Sequence, residues 1–378
     1  MDNAGKTTIC IVASEGKSLT NFRGAFIKYL VSKGNRVVCV SVEPEDEMSE
    51  AVKNLGAEYL CVEGDRLDIG ITSGFKMIGR YKKLLKSVKP DMTLFYMSKP
   101  IAFGSIAAIL TKTKHFSIMI NGLENAYYRT SLKDRIVRIV MSACYKIASR
   151  KADVVIFHNH DDMNYLKTHW VLSKDNALVV GGSGVDMKHF AKKPLPEKPV
   201  FLMVARLLWS KGIREFLAAT EKLKKECPDA EIMLVGGLDE NDEALTKQEL
   251  DKYIEKSNIE YCGYTDDVRP YLERCSVFVL PSYHEGLPRS VCEALSVGRA
   301  VITTDVPGCR ETVVDGKNGF IVPVRESEGL AEKMILLAKD RNLREKMAEE
   351  SYKMCCEKFD SDIVNRAMYE SMITAYKK

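Results

Sequence analysis

Short runs rich in β-branched residues, TTICIVAS, NRVVCVSV, EYLCVE, DMTLFYM, HFSIMIN and DVVIFHN, recur through the first half of this 378-residue chain. Between them lie segments with helical spacing, such as FRGAFIKYLVSKG and FKMIGRYKKLLKSVK. Strands joined by helical crossovers run parallel, and a parallel sheet is covered by helices on both faces. After FAKKPLPEKPVFLMVAR, a stretch with three prolines and several lysines, the alternation starts again with VFLMVAR, EIMLVGG, IEYCGY, SVFVLPS, AVITTD and GFIVP. A chain of this length exceeds what one core supports. The pattern therefore predicts an α/β protein of two Rossmann-like, doubly wound domains, 1–184 and 185–359, with the boundary near 185–199. A last helix, 360–378, has no strand after it and is expected to pack back towards the N-terminal domain.

Composition narrows the class. Hydrophobic content of 46% with 29% charged residues excludes disorder. The eleven cysteines are scattered without a C-x-x-C pair, which reads as a reduced cytosolic protein. The first residues read as strand, not signal peptide, and no run reaches the roughly 18 apolar residues of a membrane span. Net charge is uneven: residues 1–180 carry 26 basic against 18 acidic side chains, whereas residues 181–378 carry 30 against 34. The basic excess gathers at 76–89, KMIGRYKKLLKSVK, and at 127–151, so anionic partners are expected on the first half. Nothing in the chain points to nucleic acid.

Three suggestive motifs do not hold up. NAGKTTIC lacks the first glycine of a P-loop, and its strand follows the motif instead of feeding it. GGSG at 181–184 has Met187 where a dinucleotide fingerprint needs its third glycine. HNHDD at 158–162 sits between a strand and a helix, where Asn159 or Asp161 serves better as an N-cap than as part of a metal site.

The chemistry concentrates in PSYHEGLPRSVCEAL, residues 281–295. A buried strand, SVFVLPS, opens onto a Gly-Leu-Pro turn (Gly286, Leu287, Pro288), and Pro288 is expected at the first helical position. Ligands of open α/β sheets gather at this end of the strands, and a helix N-terminus suits a diphosphate that Gly286 lets approach. Glu285 and Glu293 flank that cradle. Carboxylates repel phosphate but accept hydrogen bonds from hydroxyls, and a nucleotide sugar has hydroxyls at both ends of its diphosphate. Arg206, at the end of VFLMVA, and Lys211, five residues on, are expected to converge on the same anion. Gly236-Gly237 follows the next strand.

In this order, R-x4-K, then GG, then E-x7-E with its EGLP turn, residues 200–325 resemble the donor domain of glycosyltransferase family 4, retaining enzymes with the GT-B fold of two Rossmann-like domains about a cleft. The resemblance implies that Glu293 binds the ribose diol, Glu285 the hexose hydroxyls, Arg206 and Lys211 the diphosphate, and the backbone around Tyr264 the base, with Gly237 close by. In the first half, EGKSLTNFRGAFIKYL resembles the family's first loop and helix, with Gly16 near the phosphates. INGLENAYYR resembles the acceptor loop of bacterial transferases that act on polyprenyl-diphosphate glycans, including those adding N-acetylgalactosamine to lipid-linked bacillosamine. This assigns Asn121, Gly122 and Glu124 to the acceptor, with Glu124 standing where the group has a glycine.

These resemblances imply retaining transfer of a hexose or N-acetylhexosamine from a nucleotide sugar, UDP-linked, to a polyprenyl-diphosphate-linked saccharide. No protein nucleophile, metal or other cofactor is expected, because Arg206 and Lys211 neutralise the leaving diphosphate. Such an acceptor stays in the bilayer, so the protein is expected on the inner, anionic face of the cell membrane. There Lys133, Arg135 and Arg138, beside apolar residues at helical spacing, make the contact. The competing readings are a soluble-acceptor transferase, a GT-B sugar-nucleotide epimerase, and a non-catalytic nucleotide-sugar-binding module.

Overall fold

The structure is a computed structural model and describes residues 6–64, 71–123, 127, 131–172, 175–239 and 244–377. The chain divides into two units, Met1–Ser183 with Ser361–Lys378, and Gly184–Asp360.

In the first unit the strands are β1 Thr8–Val12, β2 Arg36–Ser41, β3 Glu58–Cys61, β4 Met92–Tyr96, β5 Phe116–Ile120, β6 Val155–Phe157 and β7 Ala177–Val179. They form one sheet in the order β3-β2-β1-β4-β5-β6-β7, every pairing parallel. The order reverses beside β1, as in a doubly wound sheet. Helices cover both faces, so the central strands are apolar on both sides: β4 and β5 are buried along their whole length. One core holds Phe95, Phe116, Phe157 and Tyr81; the other holds Phe26, Ile27 and Leu94 together with Val364, Met368 and Met372 of the final helix. That helix, Ser361–Tyr376, lies on the helix Gly24–Ser32, with Tyr369 edge-on to Tyr29 at 5.9 Å.

The second unit contains β8 Val200–Val204, β9 Glu231–Val235, β10 Glu260–Tyr261, β11 Val277–Leu280, β12 Ala300–Thr304 and β13 Gly319–Val322, ordered β10-β9-β8-β11-β12-β13 and again all parallel. The proline- and lysine-rich segment before β8 reads as a linker from composition, yet it is tied down. Val185 bonds to Phe359, Lys193 N–H donates to Val297, and the buried Arg299 guanidinium donates to the carbonyls of Lys193 and Pro194. Buried backbone carbonyls need partners, and Arg299 supplies them. The unit accordingly begins at Gly184, ahead of the prolines.

Candidate functional site

The carboxyl ends of β8, β9 and β11 carry the residues that the sequence singles out in the second unit. Two close approaches of backbone shape this edge. Gly212 ends the short turn Trp209–Lys211 with φ +74, and a Cβ there would lie 2.0 Å from the Pro281 carbonyl oxygen. Only glycine lets the Lys211 turn lie against the loop after β11. The contact is fastened by the Tyr283 N–H donating to the Ser210 carbonyl at 2.8 Å. Lys211 Nζ consequently sits 2.6 Å from Glu285 Oε1, an oxygen that also accepts from Ser282 Oγ at 2.8 Å.

The second approach lies between β8 and β9. A Cβ on Gly236 would lie 1.8 Å from the Ala205 carbonyl oxygen, so the Gly236-Gly237 turn presses on the segment that bears Arg206. Leu207 N–H donates to Gly237, and Gly236 N–H to Gly263, which places Tyr264 beside the same turn. Tyr264 is 74% exposed, its hydroxyl donating to Asp266 at 2.6 Å.

The helix after the Gly-Leu-Pro turn runs Arg289–Val297, one residue later than expected. Pro288 is the N-cap, with ψ 109, and its carbonyl accepts from Cys292 N–H. The extended ψ keeps Pro288 outside the helix while its carbonyl closes the first turn. Glu293, on the second turn, is 7% exposed, and Arg289, four residues back, donates to it from Nε at 2.8 Å. Burial raises the Glu293 carboxyl above its ordinary 4.5, and the Arg289 charge and hydrogen bond oppose that rise.

Arg206 and Lys211 do not share a partner here: Arg206, with a side chain 67% exposed, pairs with Asp239 at 3.1 Å, whereas Lys211 pairs with Glu285. Each cation expected to meet phosphate already holds a carboxylate. Ser282, Arg289 and Asp239 complete the edge and were not singled out from sequence. Arg289 was legible as an i, i+4 partner of Glu293; Asp239 faces Arg206 across 33 residues and carries no local signal.

In the first unit Gly16 opens the helix Gly16–Asn21 and is buried. Its N–H donates to the Glu43 carboxylate at 2.8 Å, so the glycine expected near the phosphates has its N–H held by a carboxylate. Asn121 and Gly122 follow β5 directly; Glu124 lies outside the described residues. Asn159 caps the helix His160–Thr168 through a bond from Asp162 N–H, as the HNHDD reading expects.

The two basic segments diverge. In the helix Ile71–Val88, Met77, Tyr81, Leu84 and Leu85 are buried in the core, and the lysines lie on the opposite face. In the helix Leu132–Lys151, Leu132 and Ile139 are 73% and 69% exposed, and Ile136, Val140 and Ile147 are about half exposed. Spaced by three, four and seven residues, they form an exposed apolar stripe with exposed Arg135 beside it. Arg138, expected at the surface, is partly buried and reaches back to the Tyr127 carbonyl at 3.4 Å, because its turn faces the body of the unit. Nothing is described of the Lys133 side chain. Among the described residues no helix is long and apolar enough to cross a membrane.

The family described as Glycosyl transferases group 1 matches residues 185–354, and the one described as Glycosyl transferase 4-like matches residues 8–159. The chain is a glycosyltransferase. It is 29% identical over 355 residues to the N,N'-diacetylbacillosaminyl-diphospho-undecaprenol alpha-1,3-N-acetylgalactosaminyltransferase of Campylobacter jejuni, covering 90% of this chain and 92% of that protein. It is 24% identical over 323 residues to the UDP-Gal:alpha-D-GlcNAc-diphosphoundecaprenol alpha-1,3-galactosyltransferase of Escherichia coli, covering 81% and 80%. The solved structure of Anabaena HepE in complex with UDP-glucose matches 97% of this chain and 99% of that one, with a TM-score of 0.76 at 17% identity. The fold of this glycosyltransferase is thus GT-B, two parallel-sheet Rossmann-like domains.

Proposed function

We propose that the enzyme moves a hexose or N-acetylhexosamine from a UDP-sugar to a polyprenyl-diphosphate-linked saccharide, with retention of configuration. The observation that carries the donor half is the joined pair Lys211 and Glu285 at the carboxyl edge of the second sheet, beside the N-terminus of the helix that bears Glu293. The acceptor class is supported by likeness along most of the chain to enzymes named for diphosphoundecaprenol-linked sugars.

In this reading Arg206, Lys211 and the turn Gly286–Pro288 receive the diphosphate, Glu285 the hexose hydroxyls, Glu293 the ribose diol, and the Gly237 and Tyr264 loops the base. As the bond from C1 to phosphate oxygen breaks, charge grows where Lys211 and Arg206 meet the leaving group; such preorganised donors are each worth about 100-fold in rate. The bond from C1 to the acceptor oxygen forms on the same face, and the acceptor proton passes to the departing phosphate oxygen. The reaction as proposed uses no metal, the two cations taking its place, and no protein nucleophile. Asn121, Gly122 and Glu124 belong to the acceptor.

The exposed stripe of Leu132, Ile136, Ile139 and Ile147, with Arg135, is proposed to rest on the inner face of the cell membrane. Apolar residues enter the headgroup boundary there, and each basic residue adds about 1 kcal/mol on an anionic leaflet.

The test is a panel of UDP- and GDP-sugars incubated with and without an undecaprenyl-diphosphate-linked saccharide. Release of UDP accelerated by the lipid-linked saccharide is expected. Equal stimulation by a free saccharide would move the assignment to a soluble acceptor, and release from no donor would leave a binding module.

A further inference from the structure

At the carboxyl edge of the first sheet lies a buried polar network that the donor chemistry does not use. Arg23, the N-cap of the helix Gly24–Ser32, is 1% exposed, and its Nη2 lies 3.0 Å from Nε2 of the buried His158. The same nitrogen lies 3.5 Å from Asn121 Oδ1. The guanidinium stands 5.5 Å from the ring centre of Tyr96, whose hydroxyl donates to Ser18 at 3.2 Å. A permanent cation is costly to bury, so its neighbours matter.

His158 is neutral in this setting. Burial and the Arg23 charge push it well below 6.5, while a backbone hydrogen bond to Asn121 works the other way. A guanidinium can only donate, so Nε2 accepts from Arg23 and the neutral ring carries its proton on Nδ1, towards the backbone of Asn121. The imidazole is a bridge from Arg23 to the backbone of Asn121. Two residues on, Leu123 N–H donates to Asp162 Oδ2 at 3.2 Å, and Asp162 is in turn held by Asn159 at 2.8 Å. Residues 121 and 123 are thus fastened at both ends by partners from the β6 edge.

We propose that Arg23 and His158 are positioning residues that hold the Asn121–Leu123 segment in the form that receives the acceptor. This rests on the acceptor assignment made under Proposed function. Arg23 is 1% exposed and contacts His158 and Asn121, so its effect passes through the segment.

The test pairs two substitutions that separate shape from bonding. His158→Phe fills the ring's space and loses both hydrogen bonds; His158→Gln keeps a donor and an acceptor in a smaller side chain. The full-length proteins are compared by hydrogen exchange of the amides at 121–123, by the KM for an undecaprenyl-diphosphate-linked saccharide, and by the Kd for UDP. Hydrogen bonds to charged partners support an expected rise of about tenfold or more in acceptor KM and in amide exchange for His158→Phe, and a smaller rise for His158→Gln. UDP affinity should stay within about twofold of wild type in both. Arg23→Lys, which keeps the charge but not the fork, should follow His158→Phe.

Unchanged exchange at 121–123 in His158→Phe overturns the positioning role, as does faster exchange with unchanged acceptor KM. A larger defect in His158→Gln than in His158→Phe would show that packing, not bonding, sets the site, and would also overturn it. A wild-type protein that hydrolyses donor yet never uses the lipid-linked saccharide strikes the acceptor assignment, and the positioning role with it. Normal exchange in wild type and rapid exchange in the variants would then show that the network still orders the segment.

Discussion

The two sheets end their strands in unlike ways. At the edge of the second sheet the charged groups are open or half-buried and joined in short ion pairs, Arg206 with Asp239 and Lys211 with Glu285. At the edge of the first sheet the polar groups are buried and hold a loop: Arg23 bonds to His158 and to the Asn121 side chain, and Asp162 holds the Leu123 N–H. An edge built for a small anionic ligand places its chemistry where the ligand arrives. On the proposed reading the first edge receives the acceptor, and its buried polar groups hold the contacting segment still.

On this contrast the largest effects come from the open edge. Arg206→Ala and Lys211→Ala should each lower turnover at least about 100-fold, as removal of one transition-state donor does elsewhere. Measured donor hydrolysis without acceptor should fall alongside transfer; near wild-type rates in both variants would remove the diphosphate from this edge. Glu285→Gln should come next, lowering turnover more than donor affinity, since hexose contacts change as C1 becomes positive. Full turnover with only a raised donor KM would reverse its role.

Glu293→Gln sharpens the contrast differently. It should weaken UDP binding, because a ribose contact is made equally in ground and transition states. It should also raise the thermal midpoint at neutral pH. The Glu293 carboxyl titrates above its unfolded 4.5, so the folded chain binds the extra proton. The cost of keeping it ionised is absent below that pH and grows as pH rises through the folded value. A variant no more stable at pH 7 than wild type would mean that Arg289 fully compensates the burial.

The smallest effects on turnover concern the two basic helices of the first unit. Ile136→Glu with Ile139→Glu should abolish pelleting with anionic vesicles at low salt and leave stability within about 0.5 kcal/mol, as exposed positions do. Leu84→Ala, in the helix that buries its stripe, should cost about 2–5 kcal/mol by its cavity and leave vesicle binding unchanged. Equal binding to neutral and anionic vesicles would detach the charge from the argument.

The same comparison explains what could be read in advance. Strand alternation exposed both sheets, because parallel strands buried on two faces leave continuous apolar runs such as MTLFY and FSIMI. At the second sheet's edge the joined pair of Lys211 and Glu285 fell within stretches that spacing had singled out, whereas the expected convergence of Arg206 with Lys211 did not appear, each holding its own carboxylate. The network at the other edge was not. Arg23 and His158 meet across 135 residues, and nothing local to NFRGAF or FHNHDD announces the pairing. The two basic helices looked alike for a related reason: amphipathic spacing tells that a stripe exists, while the sheet decides whether anything covers it. Pro288 falls one residue before the helix because its fixed φ suits an extended N-cap as well as a first helical position.

The most direct measurement is the anomeric configuration of the product. The enzyme would be given an α-linked UDP-sugar and an undecaprenyl-diphosphate-linked saccharide, and the new linkage read by NMR. Retaining transfer by departure and arrival on one face predicts an α-linked product together with one UDP per linkage formed. A β-linked product, or UDP released with no linkage formed, would contradict it.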